Sequence, residues 1–158
     1  MRILIVSDTH RKHRNLEEVL EKEGPIDLFI HAGDVEEEYD IEAMIQCPKH
    51  MVAGNNDYFT HLPKEKEFCI GKHQVFLTHG HNYRLYTGTQ YLEQAARQRR
   101  VDIVIYGHTH RPNIEYKDGL ILINPGSISE PRQMGRDATY IMAEVDSKGQ
   151  ISFEMRNL

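Results

Sequence analysis

The chain has 158 residues, 24 acidic and 19 basic, with a formal net charge of −5 and both signs spread throughout. That length suits one domain, expected over residues 1–158, and is enough to bury a sizeable core. The acidic balance argues against a dedicated nucleic-acid or membrane-surface binder, which carries a basic face.

Ile3–Val6 is a short run of branched apolar residues, as expected of a strand buried on both faces. Asn15 to Glu23 follows as a helix, with Leu16, Val19 and Leu20 at helical spacing and Gly24-Pro25 closing it. The alternation repeats. Leu28–Ile30 reads as a strand, Glu37–Gln46 as a helix stopped by Pro48, and Met51–Ala53 as a third strand. This βαβαβ opening predicts an α/β fold with a largely parallel sheet.

Glu67–Ile70 and Gln74–Leu77 form an expected hairpin around Gly71-Lys72. Thr89–Arg100 reads as a helix, and its closing Arg97-Gln98-Arg99-Arg100 suits the negative end of the helix dipole. A second basic cluster, Arg11-Lys12-His13-Arg14, is as short. Val101–Tyr106 is another apolar strand. Ile114–Tyr116, Leu120–Ile123, Tyr140–Val145 and Ile151–Met155 follow, with turns at Asp118-Gly119 and Lys148-Gly149. These late strands predict a second sheet packed on the first. Cys47 and Cys69 are far apart and suggest neither a disulfide framework nor a zinc pair. The first apolar run is too short for a secretion signal, and no stretch approaches bilayer-spanning length. A reducing, cytoplasmic location is expected.

Ten histidines are many for a chain of this length, so their positions matter. Five strands run into loops carrying Asp, Asn or His beside Gly or Thr: Asp8-Thr9-His10, His31-Ala32-Gly33-Asp34, Gly54-Asn55-Asn56-Asp57, Thr78-His79-Gly80-His81 and Gly107-His108-Thr109-His110. In open α/β sheets ligands gather beyond the carboxyl ends of the strands, so neighbouring loops of this kind would aim their side chains into one crevice. The i, i+2 spacing of Asp8/His10 and of His108/His110 would let both side chains leave an extended segment on one side. Each loop alone has an ordinary reading. Asp8 and Asp34 could cap helices, Gly54-Asn55-Asn56-Asp57 could be a simple turn, and His50, His61 and His73 are expected at the surface. Independent turns, however, have no reason to share one chemistry. Carboxylate, imidazole and amide oxygen without thiolate suit a divalent metal such as Mn, Fe, Zn, Co or Ni. A pair of such metals is a recurring device for displacement at phosphorus.

Together these five loops resemble the signature of the calcineurin-like metallophosphoesterases, and Asn124-Pro125-Gly126-Ser127 with Pro131-Arg132 is similar to the small prokaryotic branch of that superfamily. The resemblance implies a four-layer α-β-β-α sandwich of two mixed sheets, with a dinuclear metal site at the strand ends. It implies that Asp8, His10 and His110 hold one metal, that Asn55, His79 and His108 hold the other, and that Asp34 bridges both. Manganese is the expected ion, with Fe, Ni, Co or Zn as alternatives. The implied activity is phosphoester hydrolysis by a metal-bridging hydroxide, on a small phosphate ester. Asp57 is expected to orient the Asn55 loop, and His31 to support the ligands from behind. Many members carry a proton-donating histidine after the ligand asparagine, where this chain has Asn56. An amide cannot supply that proton, so diesters or aryl phosphates are expected to be better substrates than other monoesters. His81 is a candidate substitute acid, and Arg11, Arg111 and Arg132 are candidate substrate contacts. The alternatives are a phosphomonoesterase for a nucleotide or small metabolite, or a non-catalytic scaffold like the retromer subunit that shares this fold.

Overall fold

The first apolar run becomes a strand buried on both faces, β1 (Arg2–Val6), in the computed structural model, which describes residues 1–158. It is followed by α1 (Arg14–Glu23), β2 (Leu28–His31), α2 (Glu38–Met44), β3 (Lys49–Met51), β4 (Glu65–Ile70) and β5 (His73–Thr78). Two single 3-10 turns, His81–Tyr83 and Leu85–Thr87, lead to α3 (Gln90–Arg99). Then come β6 (Ile103–Ile105), β7 (Asn113–Lys117), β8 (Leu120–Asn124), β9 (Thr139–Val145) and β10 (Ile151–Asn157).

Alternation along the strands builds four layers. Ile3 and Ile5 meet Ile30, Val75, Leu77 and Ile105 in a core between two sheets. Leu4 and Val6 face the other way, onto Leu16 and Val19 of α1 and Ile41 of α2. Beyond the second sheet, Phe76, Val104 and Leu122 pack on Leu92, Ala95 and Ala96 of α3. No helix is long and apolar enough to cross a membrane.

Both sheets are mixed. The first has the order β10-β9-β1-β2-β3 and the second β4-β5-β6-β8-β7. In the first, β1, β2 and β3 run parallel and β9 pairs antiparallel to β1, with Ile3 opposite Ala143. In the second, β5, β6 and β8 are parallel between antiparallel edges. The late strands therefore do not form a sheet of their own. Tyr140 and Met142 carry the alternation of β9 into the core under α1 and α2, which ties that strand to the first sheet. The third strand also differs from the sequence expectation. It covers Lys49–Met51, because the Ala53 N–H leaves the ladder and donates to the Pro63 carbonyl at 2.8 Å. The second helix stops at Met44, where Ile45 turns extended.

One buried cluster fastens the carboxyl end of α1 to the first sheet. The Glu23 carboxylate, 4% exposed, accepts from Tyr140 Oη at 2.6 Å, Arg156 Nη1 at 2.5 Å and Arg2 Nη2 at 3.2 Å. Burial works against its charge, but the bonds from Tyr140 and Arg156 outweigh burial and lower its pKa below 4.5. A carboxyl whose folded pKa is depressed stabilises the fold above its unfolded pKa and loses that contribution as pH falls through the folded one. Glu23→Gln is expected to cost about 2 kcal/mol at pH 7, the scale of a lost charged hydrogen bond. Urea titrations should show the gap between variant and wild type closing as pH drops below the ordinary carboxyl range.

Candidate metal centre

The loops after β1, β2, β3, β5 and β6 meet where the parallel strands of both sheets end. Five of the seven candidate ligands take left-handed backbone conformations, with φ of 57° at Asp8, 46° at His10, 55° at Asp34, 67° at His108 and 54° at His110. Such angles are uncommon outside glycine and gather at functional sites, although Asp, Asn and His tolerate them best. The side chains therefore do not leave an extended segment, as the i, i+2 spacing suggested. Tight turns send His110 to Asp8 and His10, while His108 lies with its ring centroid 5.2 Å from that of His79.

Three imidazoles are anchored in the same way, by an oxygen accepting from Nδ1: Glu36 Oε1 at 2.7 Å from His10, the Ala32 carbonyl at 2.7 Å from His79, and the Glu130 carbonyl at 2.6 Å from His110. With Nδ1 as donor, each neutral ring presents an unprotonated Nε2, a tautomer assigned from these bonds. Those Nε2 atoms converge. His110 Nε2 is 3.0 Å from Asp8 Oδ1 and 3.3 Å from His10 Nε2, and His10 and His79 place theirs 3.7 and 3.4 Å from Asp34 Oδ2. Asp8, His10, Asp34 and His110 each offer a ligand atom within 4.8 Å of the others. The Asp8 carboxylate is fully buried, and neither oxygen has a hydrogen-bond partner. Lone pairs facing one another at these distances repel unless a proton or a cation lies between them. Burial alone would lower the pKa of both His79 and His110, but Asp34, Asp8 and the Ala32 carbonyl together raise the first, and Asp8 and the Glu130 carbonyl the second. The chemistry of the donor set and the orphaned Asp8 oxygens both fit a divalent cation.

On the other side of Asp34, Asn55 Oδ1 lies 3.2 Å from His79 Nε2. Asn56 turns inward. Its backbone N–H donates to Asp34 Oδ1 and its Nδ2 to Asp34 Oδ2, both at 2.8 Å. Burial raises the Asp34 pKa, yet His79 and Asn56 together hold it well below the usual carboxylate range. Asp57 ties two loops together, accepting from the N–H of Gly54 at 2.7 Å, of Val35 at 3.2 Å and of Glu36 at 2.6 Å. His31 is wholly buried behind the site, and desolvation drives its pKa down to about 4. Its Nδ1 accepts from the Gly33 N–H at 3.1 Å, so Nε2 carries the proton and faces Thr9 Oγ1 at 3.2 Å. His81, whose ring centroid is 5.5 Å from that of His79, keeps a buried Nδ1 without a partner.

A model of the calcineurin-like phosphoesterase superfamily domain matches residues 1–148. The chain belongs to the calcineurin-like phosphoesterase superfamily. A phosphodiesterase of Methanocaldococcus jannaschii is 31% identical to it over 144 residues, 80% of this chain and 83% of that one. Among solved structures, a predicted phosphoesterase of Streptococcus pneumoniae superposes with a TM-score of 0.80 at 26% identity, covering 98% of this chain and 97% of that one. Vps29 of Entamoeba histolytica, solved with zinc, gives 0.77 at 25% identity with 99% of each chain covered. Calcineurin-like phosphoesterases use divalent metals, which agrees with the donor set described above.

The side chains of the three arginines flank this calcineurin-like site, and none is paired with a candidate ligand side chain. Arg11 pairs with Glu36 at 3.3 Å and Glu37 at 3.8 Å, and Arg111 and Arg132 are exposed. Lys12 and Arg14, the other cations of the first basic cluster, pair with Glu130 and Glu18, so that cluster is not a free phosphate track. Some supporting groups had no role assigned from sequence. Glu36 holds His10, yet it stands in the run Glu36-Glu37-Glu38, whose composition singles out none of them. Ser127 Oγ donates to the Asp8 carbonyl at 2.9 Å, and Asn124 Nδ2 donates to the Gly107 carbonyl at 2.9 Å. Both residues lie in Asn124-Pro125-Gly126-Ser127, which the sequence offered as part of the resemblance without giving either a role.

Proposed function

We propose that this protein is a metal-dependent phosphoesterase, and specifically a phosphodiesterase. The observation that carries the reading is the convergence of anchored imidazole Nε2 atoms on the buried, unpartnered Asp8 carboxylate. Asp8, His10 and His110 would hold one divalent cation, Asn55, His79 and His108 a second, and Asp34 both, with manganese the ion proposed. When bound, such a pair lowers the pKa of a water molecule and neutralises the oxygens of a phosphoryl group.

The chain's own residues do the positioning. Glu36, Ala32 and Glu130 fix three rings with Nε2 forward, while Asn56 fixes the rotation of the Asp34 carboxylate. Asn56 has hydrogen bonds to give but no proton for a departing alkoxide. His81, two residues beyond His79 with its ring centroid 5.5 Å from that of His79, is the group proposed to take that role. A site with so little acid assistance favours diesters and aryl phosphates over alkyl monoesters. The phosphodiesterase from Methanocaldococcus jannaschii supports this choice over a phosphomonoesterase acting on nucleotides or small metabolites. The likeness to Vps29 supports a second reading, a protein-binding scaffold. All seven candidate ligands are present, which favours catalysis.

The test is a series of assays on protein stripped of metal and reloaded with Mn or Ni. Bis(p-nitrophenyl) phosphate should turn over faster than p-nitrophenyl phosphate. No turnover with any ion, and a metal content near zero, would favour the scaffold. Asn56→His is expected to raise the ratio of kcat/KM for an alkyl monoester to that for bis(p-nitrophenyl) phosphate about a hundredfold, the lower range for a positioned general acid on a poor leaving group. An unchanged ratio would remove Asn56 from the account of substrate choice.

A further inference from the structure

Beside the ligand loops lies a cleft of about 560 Å³ whose walls are the start of α2 and the loop after β3. Asn56 and Asp57 of the ligand loop line it, and Tyr39, Tyr58 and Phe59 are its aromatic residues among mostly charged ones. These three rings are 67%, 79% and 100% exposed, so core packing does not explain them. The segment carrying them is nonetheless well tied. Asp57 binds it to Val35 and Glu36, Glu38 accepts from Thr60 Oγ1 and from the His61 N–H, and the Tyr58 N–H donates to the Asn56 carbonyl at 3.0 Å. Exposed aromatics on a fixed loop, opening onto a site, offer stacking surface at little cost in ordering.

The charge of the cleft narrows what it takes. Arg11 is its one cation and is already paired with Glu36 and Glu37, while Glu37 and Asp40 leave exposed carboxylates on the rim. A second phosphate would meet like charge there, with no free base to pair with. We infer that this cleft binds the non-leaving ester group of a phosphodiester substrate, an uncharged group bearing an aromatic ring, such as an aryl or nucleoside moiety. The inference rests on the phosphodiesterase reading and adds the substrate class.

Two diesters with the same leaving group test it: thymidine 5′-(p-nitrophenyl) phosphate and methyl p-nitrophenyl phosphate. The metal-loaded wild type should prefer the thymidine ester. In a Tyr58→Ala/Phe59→Ala variant the ratio of kcat/KM between the two esters should fall about tenfold, the scale of a lost base–aromatic stack. Phe59→Ala alone, at a fully exposed position, keeps the fold and should lower the ratio part-way. An unaltered ratio in both variants overturns the inference and leaves the phosphodiesterase reading standing. If neither ester is turned over, that reading fails. Calorimetric titration with the corresponding thymidine and methyl phosphonates then decides the cleft alone. Tighter thymidine binding that the double variant loses supports it, and equal binding of the two overturns it.

Discussion

Asp34→Ala is expected to lower kcat/KM for bis(p-nitrophenyl) phosphate at least about a thousandfold, the scale for removing a preorganised charge-stabilising group. Asp8 Oδ1 stands 3.9 and 4.0 Å from the Nε2 atoms of His10 and His79, and Asp34 comes closer to both. Asp34 Oδ2 lies between His10 Nε2 at 3.7 Å and His79 Nε2 at 3.4 Å, so its loss takes a carboxylate from both halves of the donor set at once. Alanine adds a second effect, because Asp34 has a φ of 55°, which alanine adopts at a cost of about 1 kcal/mol or more. Asp34→Asn separates the two effects. Asparagine tolerates that conformation and keeps one of the two hydrogen bonds from Asn56, so the metal-free fold should lose less of its thermal midpoint than in the alanine variant. Turnover should fall nearly as far as in the alanine variant. Activity that survives in either variant would refute a site built on Asp34.

Gly54→Ala is expected to destabilise the protein by about 3 kcal/mol, the upper range for forcing extra volume into a packed site. In a simple turn at Gly54-Asn55-Asn56-Asp57 this glycine would serve for its backbone freedom. Its φ is not in the left-handed region; the requirement is space. A Cβ here would stand 2.1 Å from Asp34 Oδ1 and 2.4 Å from the Asp34 backbone nitrogen. The carboxylate could rotate away, but the backbone nitrogen cannot yield without moving the loop after β2. Gly149→Ala makes the comparison. That glycine has a φ of 74° and open space around it, so alanine there pays only the conformational cost of about 1 kcal/mol. Urea unfolding should place Gly54→Ala well below Gly149→Ala in midpoint, with similar slopes. Near-equal midpoints would mean that Asp34 is not packed against Gly54.

Much of this arrangement is written locally. Ile3–Val6 and Ile103–Tyr106 are apolar on both faces, which marks buried strands, and the Asp, Asn and His residues that follow mark where the strands open onto a crevice. What was not legible depends on partners far away in the chain. Nothing in Tyr140–Val145 says that it pairs with β1 and not with β8, because alternation encodes a face and not a neighbour. Glu36 is read as one acid in a run until the fold brings it 2.7 Å from His10, and the Ala32 and Glu130 carbonyls carry no sequence signal at all. Asn56 shows both sides of this. Its place after Asn55 flagged a missing proton donor, while its grip on Asp34 by two hydrogen bonds emerges only from the folded loops.

Anomalous diffraction from crystals soaked in Mn²⁺ locates bound metal without reference to activity. Two peaks per chain are expected, one among Asp8, His10 and His110 and the other among Asn55, His79 and His108, with Asp34 touching both. A single peak that does not reach Asp34, or none at all, would contradict a dinuclear site built on Asp34.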